Sequence, residues 1–103
     1  MSKLGRETSS AQMCNIGTKT IVGDNNAISY NAVIGHHNSI GDCNLLASGI
    51  ITSGNVSIGS ECIVPAGVNF VNRVKIGSNA VLPVGYNTTE NIADNTFINN
   101  NMR

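Results

Sequence analysis

A chain of 103 residues has room for one domain and buries only a modest share of its surface by itself, so association is an expected source of stability. Its six basic and six acidic residues are scattered and sum to zero net charge, which excludes the basic patch that a nucleic acid or an anionic membrane surface requires. Two Tyr, two Phe and no Trp leave no base-stacking platform, and no apolar run reaches the length of a membrane span.

In chain order, residues 1–12 are polar and lack the apolar core of a secretory signal. A six-residue frame starts inside this stretch, at Leu4, and continues to Asn87 without an insertion. Its first positions are Leu4, Ser10, Ile16, Val22, Ile28, Ile34, Ile40, Leu46, Thr52, Ile58, Val64, Phe70, Ile76 and Leu82; twelve of these fourteen are apolar, with Ser10 and Thr52 the exceptions. Eleven of the fourteen second positions are small, seven of them Gly. Asn or Gly fills half of the fourth positions, at 25, 31, 49, 55, 67, 79 and 85, and these are the residues that tolerate the positive φ of a tight turn.

Each hexad therefore reads as a short strand carrying one inward aliphatic, followed by a turn bent at a left-handed residue. Three hexads closing a triangle make one coil, and coils stacked at the ordinary strand spacing of about 4.8 Å place residues eighteen apart above one another. The expected fold is all-β, a parallel β-helix of about five triangular coils. Its inner columns are Leu4, Val22, Ile40, Ile58 and Ile76; Ile28, Leu46, Val64 and Leu82; and Ile16, Ile34, Thr52 and Phe70. A β-sandwich would demand alternation of period two and loops of varied length, and neither is present.

After Asn87 the frame slips. Residues 88–91 form a polar break, residues 92–98 carry another strand-like stretch, and the polar tail 99–103 is expected to shield the open end of the stack. The chain thus reads as a single β-helix domain over 1–103, with regular hexads at 4–87 and an irregular segment at 88–103. Cys14, Cys43 and Cys62 are odd in number and lack Cys-x-x-Cys spacing, so they read as reduced thiols of a cytoplasmic protein. Cys14 and Cys62 fall at the fifth hexad position, where packing accounts for them; Cys43 falls at an exposed turn.

The repeated pattern of Leu, Ile or Val followed by Gly resembles the signature of hexapeptide-repeat, left-handed β-helix acyltransferases. The resemblance, rather than the spacing, implies the left-handed coiling, a homotrimer and active sites in the clefts between subunits. Within that superfamily, residues 28–93 resemble the catalytic half of sugar acetyltransferases of the sialic acid O-acetyltransferase and bacillosamine N-acetyltransferase type. The matching stretches are Asn31-Ala32-Val33-Ile34-Gly35-His36 and Ser53-Gly54-Asn55-Val56-Ser57-Ile58-Gly59, with Glu90-Asn91-Ile92-Ala93-Asp94-Asn95 resembling the family's closing Lys-Asp-Ile-Pro-Asp-Asn.

This resemblance implies an acetyltransferase that moves an acetyl group from acetyl-coenzyme A to an amine or hydroxyl of a sugar or other small acceptor. His36 falls where the family keeps its catalytic base, since an imidazole can take the acceptor's proton as it attacks the thioester carbonyl. Gly54 matches the family's oxyanion-hole glycine, and the eighteen-residue spacing independently sets it one coil above His36. Ala66 and Val84 match positions that contact the pantetheine arm, on a turn column with Ser48. Gly54, Ala66 and Val84 are therefore the implied coenzyme-binding residues. His37 stands where the family has Asp or Glu, and Leu45 where it has a second His. The chain opens directly on β-helix, so the family's N-terminal nucleotide-sugar-binding domain is expected to be lacking.

A zinc site of the kind that β-helix carbonic anhydrases build needs three separated His ligands, whereas this chain has only the adjacent pair His36 and His37, so no metal is expected. The reading of a different class is a catalytically silent trimeric β-helix module kept for assembly or binding.

Overall fold

The computed structural model describes residues 2–99. Three parallel sheets form the sides of a triangular prism measuring 37 × 22 × 22 Å. Sheet A stacks Lys3–Leu4, Ile21–Val22, Ser39–Ile40, Ser57–Ile58 and Lys75–Ile76. Sheet B stacks Ser9–Ser10, Ala27–Ile28, Leu45–Leu46 and Ile63–Val64. Sheet C stacks Asn15–Ile16, Val33–Ile34, Ile51–Thr52, Asn69–Phe70 and Asn87–Thr88. Strands of two residues suffice because each pairs with the same side of the coil above and below. The register is eighteen residues throughout these strands, as in Leu4 to Val22, Ile28 to Leu46 and Phe70 to Thr88. The inner columns expected from the repeat are the observed ones. No helix among the described residues is long and apolar enough to cross a membrane.

The turns are more uniform than their composition. All fourteen fourth positions from Glu7 to Gly85 have φ between 53° and 73°, including Glu7, Met13, Lys19, His37, Cys43, Glu61 and Arg73. Left-handed backbone costs a residue with a side chain about 1–2 kcal/mol, so something else must hold these turns. In successive coils the fourth-position N–H donates to the third-position carbonyl of the coil below, as from Asn25 to Arg6, His37 to Thr18, Asn55 to His36 and Arg73 to Gly54. Stacking thus imposes the turn, and Asn or Gly only eases it.

The fifth position points inward as well. Ala32, Ile50, Val56, Val68 and Ala80 join the aliphatics of the first position in one core, with Phe70, Ile34 and Leu46 among its largest fully buried side chains. Abundant Asn reads in the sequence as turn-forming, yet Asn26, Asn38 and Asn44 are each only 2% exposed. They are tolerated because they bond the neighbouring coils: the Asn44 Nδ2 donates to the Gly59 carbonyl, and its Oδ1 accepts from the Cys62 N–H. Cys62 continues that column with its thiol on the Gly77 carbonyl, while Cys43 is exposed.

At the C-terminal end, Thr88 still follows Phe70 in register, but Ile92 pairs with Ile76 and Phe97 with Val81, sixteen residues apart. The polar break is therefore a corner two residues short. The hexad pattern resumes at Ile92, with Asn95 left-handed at φ 62°. Of the tail 99–103, read as a shield for the stack, residues 100–103 lie outside the described residues.

Candidate active site

His36 lies on the corner where sheet C turns into sheet A. It is an exposed third-position residue, and Gly54 is buried directly above it. The two are in intimate contact: a Cβ added at Gly54 would sit 2.5 Å from His36 Cε1 and 2.6 Å from Nε2. The imidazole thus occupies the space that any other residue at 54 would fill. This is a steric requirement for glycine, since Gly54 does not adopt a positive φ.

His37 is left-handed, as its fourth position demands, and its side chain turns back on its neighbour. The two Nδ1 atoms are 3.0 Å apart and the rings meet edge to face with centroids at 5.2 Å. One Nδ1 must carry hydrogen and the other accept it. When His36 donates, its Nε2 lone pair is left open for a proton. His37 can therefore fix the tautomer of His36 as a carboxylate would, but brings no negative charge.

The turn that carries His36 is pinned from within. The Gly35 N–H donates to Thr52 Oγ1 at 2.9 Å, and the Gly35 carbonyl accepts from the Thr20 hydroxyl at 2.6 Å. Buried Asn38 donates from Nδ2 to Thr52 Oγ1 at 2.9 Å and accepts from the Val56 N–H at 2.6 Å. Thr52, one of the two polar first positions, is thus an anchor for the residue preceding His36. Its polarity was the signal in the sequence.

The Gly54 N–H, implied as an oxyanion donor, donates at 2.8 Å to Oδ1 of Asn72, the exposed third-position residue one coil higher. The same device lines the corner between sheets A and B, where backbone N–H groups of Arg6, Asp24, Asp42 and Ser60 donate to side chains of Asp24, Asp42, Ser60 and Ser78. The Arg6 N–H, with the Arg6 guanidinium 2.9 Å from the second carboxylate oxygen, holds the partly exposed Asp24 below the usual carboxylate range.

Ala66 and Val84 are not at this corner. They lie twelve and thirty residues from Gly54, on the corner between sheets B and C, and sheet C separates them from His36. That corner is bare. Its left-handed residues include Gly49, Gly67 and Gly85, and nothing lies within 4 Å of a Cβ placed on Gly49 or Gly85. Ala66 and Val84 have no side-chain acceptor, so they cannot cap the amides of Ser48 and Ala66 beneath them as Asp and Ser do elsewhere. Apolar residues flank this corner: Leu45, Ile63 and Phe97 along the column of sheet B, and Val33 and Ile51 on sheet C, are all exposed. Cavities of about 370 and 530 Å³ lie at the C-terminal end instead, lined by residues such as Tyr86, Thr88 and Ile98 or Lys75, Ile76 and Asp94. Neither includes His36 or Gly54. No cluster of three His, Cys, Asp or Glu able to hold a metal ion occurs among the described residues.

No family model matches the chain, and no curated protein matches it by sequence. Solved structures match it closely in shape. PerB from Caulobacter crescentus, solved with CoA and GDP-perosamine, superposes with a TM-score of 0.93 over 97% of this chain and 48% of its own, at 21% identity. The acetyltransferase domain of PglB from Neisseria gonorrhoeae, solved also with acetyl coenzyme A, gives 0.91 over 97% of this chain and 49% of its own, at 19% identity. A hexapeptide-repeat acetyltransferase from Vibrio cholerae, solved with acetyl coenzyme A, gives 0.66 over 96% and 66%, at 16% identity.

The fold is that of the hexapeptide-repeat β-helices. A mirror-image coil would not superpose, so the left-handed sense is shared too. The chain spans about half the length of the PerB and PglB-domain chains.

Proposed function

We propose that this β-helix transfers an acetyl group from acetyl-coenzyme A to an amine or hydroxyl of a sugar or other small acceptor, with His36 as general base. The observation that carries this reading is the His36 ring seated in the space left by the missing side chain of Gly54. The shape shared with PerB and the PglB domain, which bind CoA or acetyl coenzyme A, supports the same donor.

Ala66 and Val84 would line the pantetheine arm on the corner between sheets B and C, where small and apolar side chains leave room beside the turns. Because that corner and the His36 corner are separated within one chain, a complete site needs a second copy, and a homotrimer with sites between subunits meets this need. The exposed apolar residues beside the bare corner, Leu45, Ile63 and Ile51 among them, supply surface for such packing. Three free cysteines, one of them exposed, support a cytoplasmic location.

The first test is binding. Acetyl-coenzyme A at 100 times its Kd should add about 2.7 kcal/mol of stability, read as a rise in Tm. The second is turnover: thiol release over a panel of amino sugars, abolished by His36→Ala. A melting temperature unmoved at millimolar acetyl-coenzyme A would favour the silent module, to which the replacement of an acid by His37 also points.

A further inference from the structure

The same corner holds a donor that neither the repeat nor the resemblance assigns. If acetyl transfer runs here, a group must stabilise negative charge on the thioester oxygen as the acceptor attacks. The Gly54 N–H is already directed into Asn72 Oδ1 at 2.8 Å. A backbone N–H can only donate, so this contact settles which end of the Asn72 amide is oxygen. The Nδ2 group, with two N–H donors, is then turned away from Gly54 on an exposed side chain.

We infer that the oxyanion donor of this protein is the Asn72 side-chain amide, held and polarised by the Gly54 N–H, in place of that N–H itself. The assignment rests on the acetyl-transfer reading. His36 reaches up to Gly54 from the coil below and Asn72 reaches down to it from the coil above, so the base and the amide that carries the donor both meet one glycine, Asn72 through its Oδ1. Accepting a hydrogen bond at Oδ1 strengthens the Nδ2 donors, because linked hydrogen bonds polarise one another. The Asp residues capping the corner between sheets A and B accept in the same way but have no hydrogen to give when ionised.

In the step, the acceptor's nitrogen or oxygen forms a bond to the acetyl carbonyl carbon while its proton passes to His36 Nε2. The carbonyl π pair moves onto oxygen, where Asn72 Nδ2–H binds it. Collapse restores the C=O bond and breaks the C–S bond, and the imidazolium returns its proton to the departing thiolate. The products are the acetylated acceptor and free coenzyme A.

The test uses the full chain in the thiol-release assay, with Asn72→Ala and Asn72→Asp compared with wild type. Asn72→Asp keeps an acceptor for the Gly54 N–H and removes the Nδ2 donors; Asn72→Ala frees the Gly54 N–H. Both should lose kcat by about 10²-fold, the usual effect of deleting one oxyanion donor. KM for acetyl-coenzyme A should stay near wild type, a split that a purely structural cap would not produce. Turnover by Asn72→Ala at or above the wild-type rate would overturn the assignment and return the role to Gly54, even if Asn72→Asp were impaired by its charge. Absence of turnover in the wild type would instead sink the acetyl-transfer reading, and this assignment with it.

Discussion

Replacing Thr52 and Thr88 separately by Val makes the same small change twice in one inner column of sheet C, yet the structure predicts opposite signs. Valine preserves the shape of threonine and removes only the hydroxyl. At Thr52 that oxygen accepts from the Gly35 N–H and from buried Asn38 Nδ2, both at 2.9 Å. Each donor left without its partner costs about 1–3 kcal/mol, so the loss of two should make Thr52→Val destabilising by about 2–6 kcal/mol. At Thr88, 1% exposed, Oγ1 has no hydrogen-bond partner. The reason is visible in the repeat: the place of Asn38, two coils further on, is taken by Val74. Removing an unpaired buried hydroxyl should stabilise by about 1 kcal/mol. Urea unfolding at matched protein concentration, followed by circular dichroism, measures both. For a domain of this size each kcal/mol moves Tm by about 4–8 °C, so the two variants should melt well apart. Equal shifts in the same direction would refute the account of how the His36 turn is held.

Three further outcomes follow from the geometry. Gly54→Ala would drive its Cβ to 2.5 Å from His36 Cε1, so the ring must move by about 1 Å to regain ordinary contact near 3.5 Å. A misplacement of that size costs about 10²-fold in rate, whereas stability should change little, because Gly54 is not left-handed and the ring that must move belongs to an exposed side chain. Burial pushes the Cys62 thiol up from its ordinary 9.0, so the folded chain keeps a proton that the unfolded chain releases. The contribution is intact below pH 9.0 and lost as pH rises through the folded value, so the urea midpoint should fall in that alkaline window and Cys62→Ala should flatten the fall. In the native state a thiol reagent should label exposed Cys43 first and buried Cys62 only on unfolding.

Much of this molecule follows from arithmetic on the sequence. A period of six on three sides makes any two residues eighteen apart vertical neighbours, so the core columns and the placing of Gly54 above His36 need no coordinates. The same arithmetic sets Ala66 on another corner, twelve residues being two sides of a coil. The tertiary structure decided what depends on side-chain direction within a coil. It turned Asn26, Asn38 and Asn44 inward, where their amides bond adjacent coils, although Asn alone reads as a turn former. It gave Thr52 its task beneath His36, paired the two imidazoles through Nδ1, and closed the Gly54 N–H with Asn72. The physical reason is the same each time. Backbone hydrogen bonding between coils sets the repeat and is indifferent to side-chain identity, whereas each polar side chain finds its partner only once the coils above and below are in place.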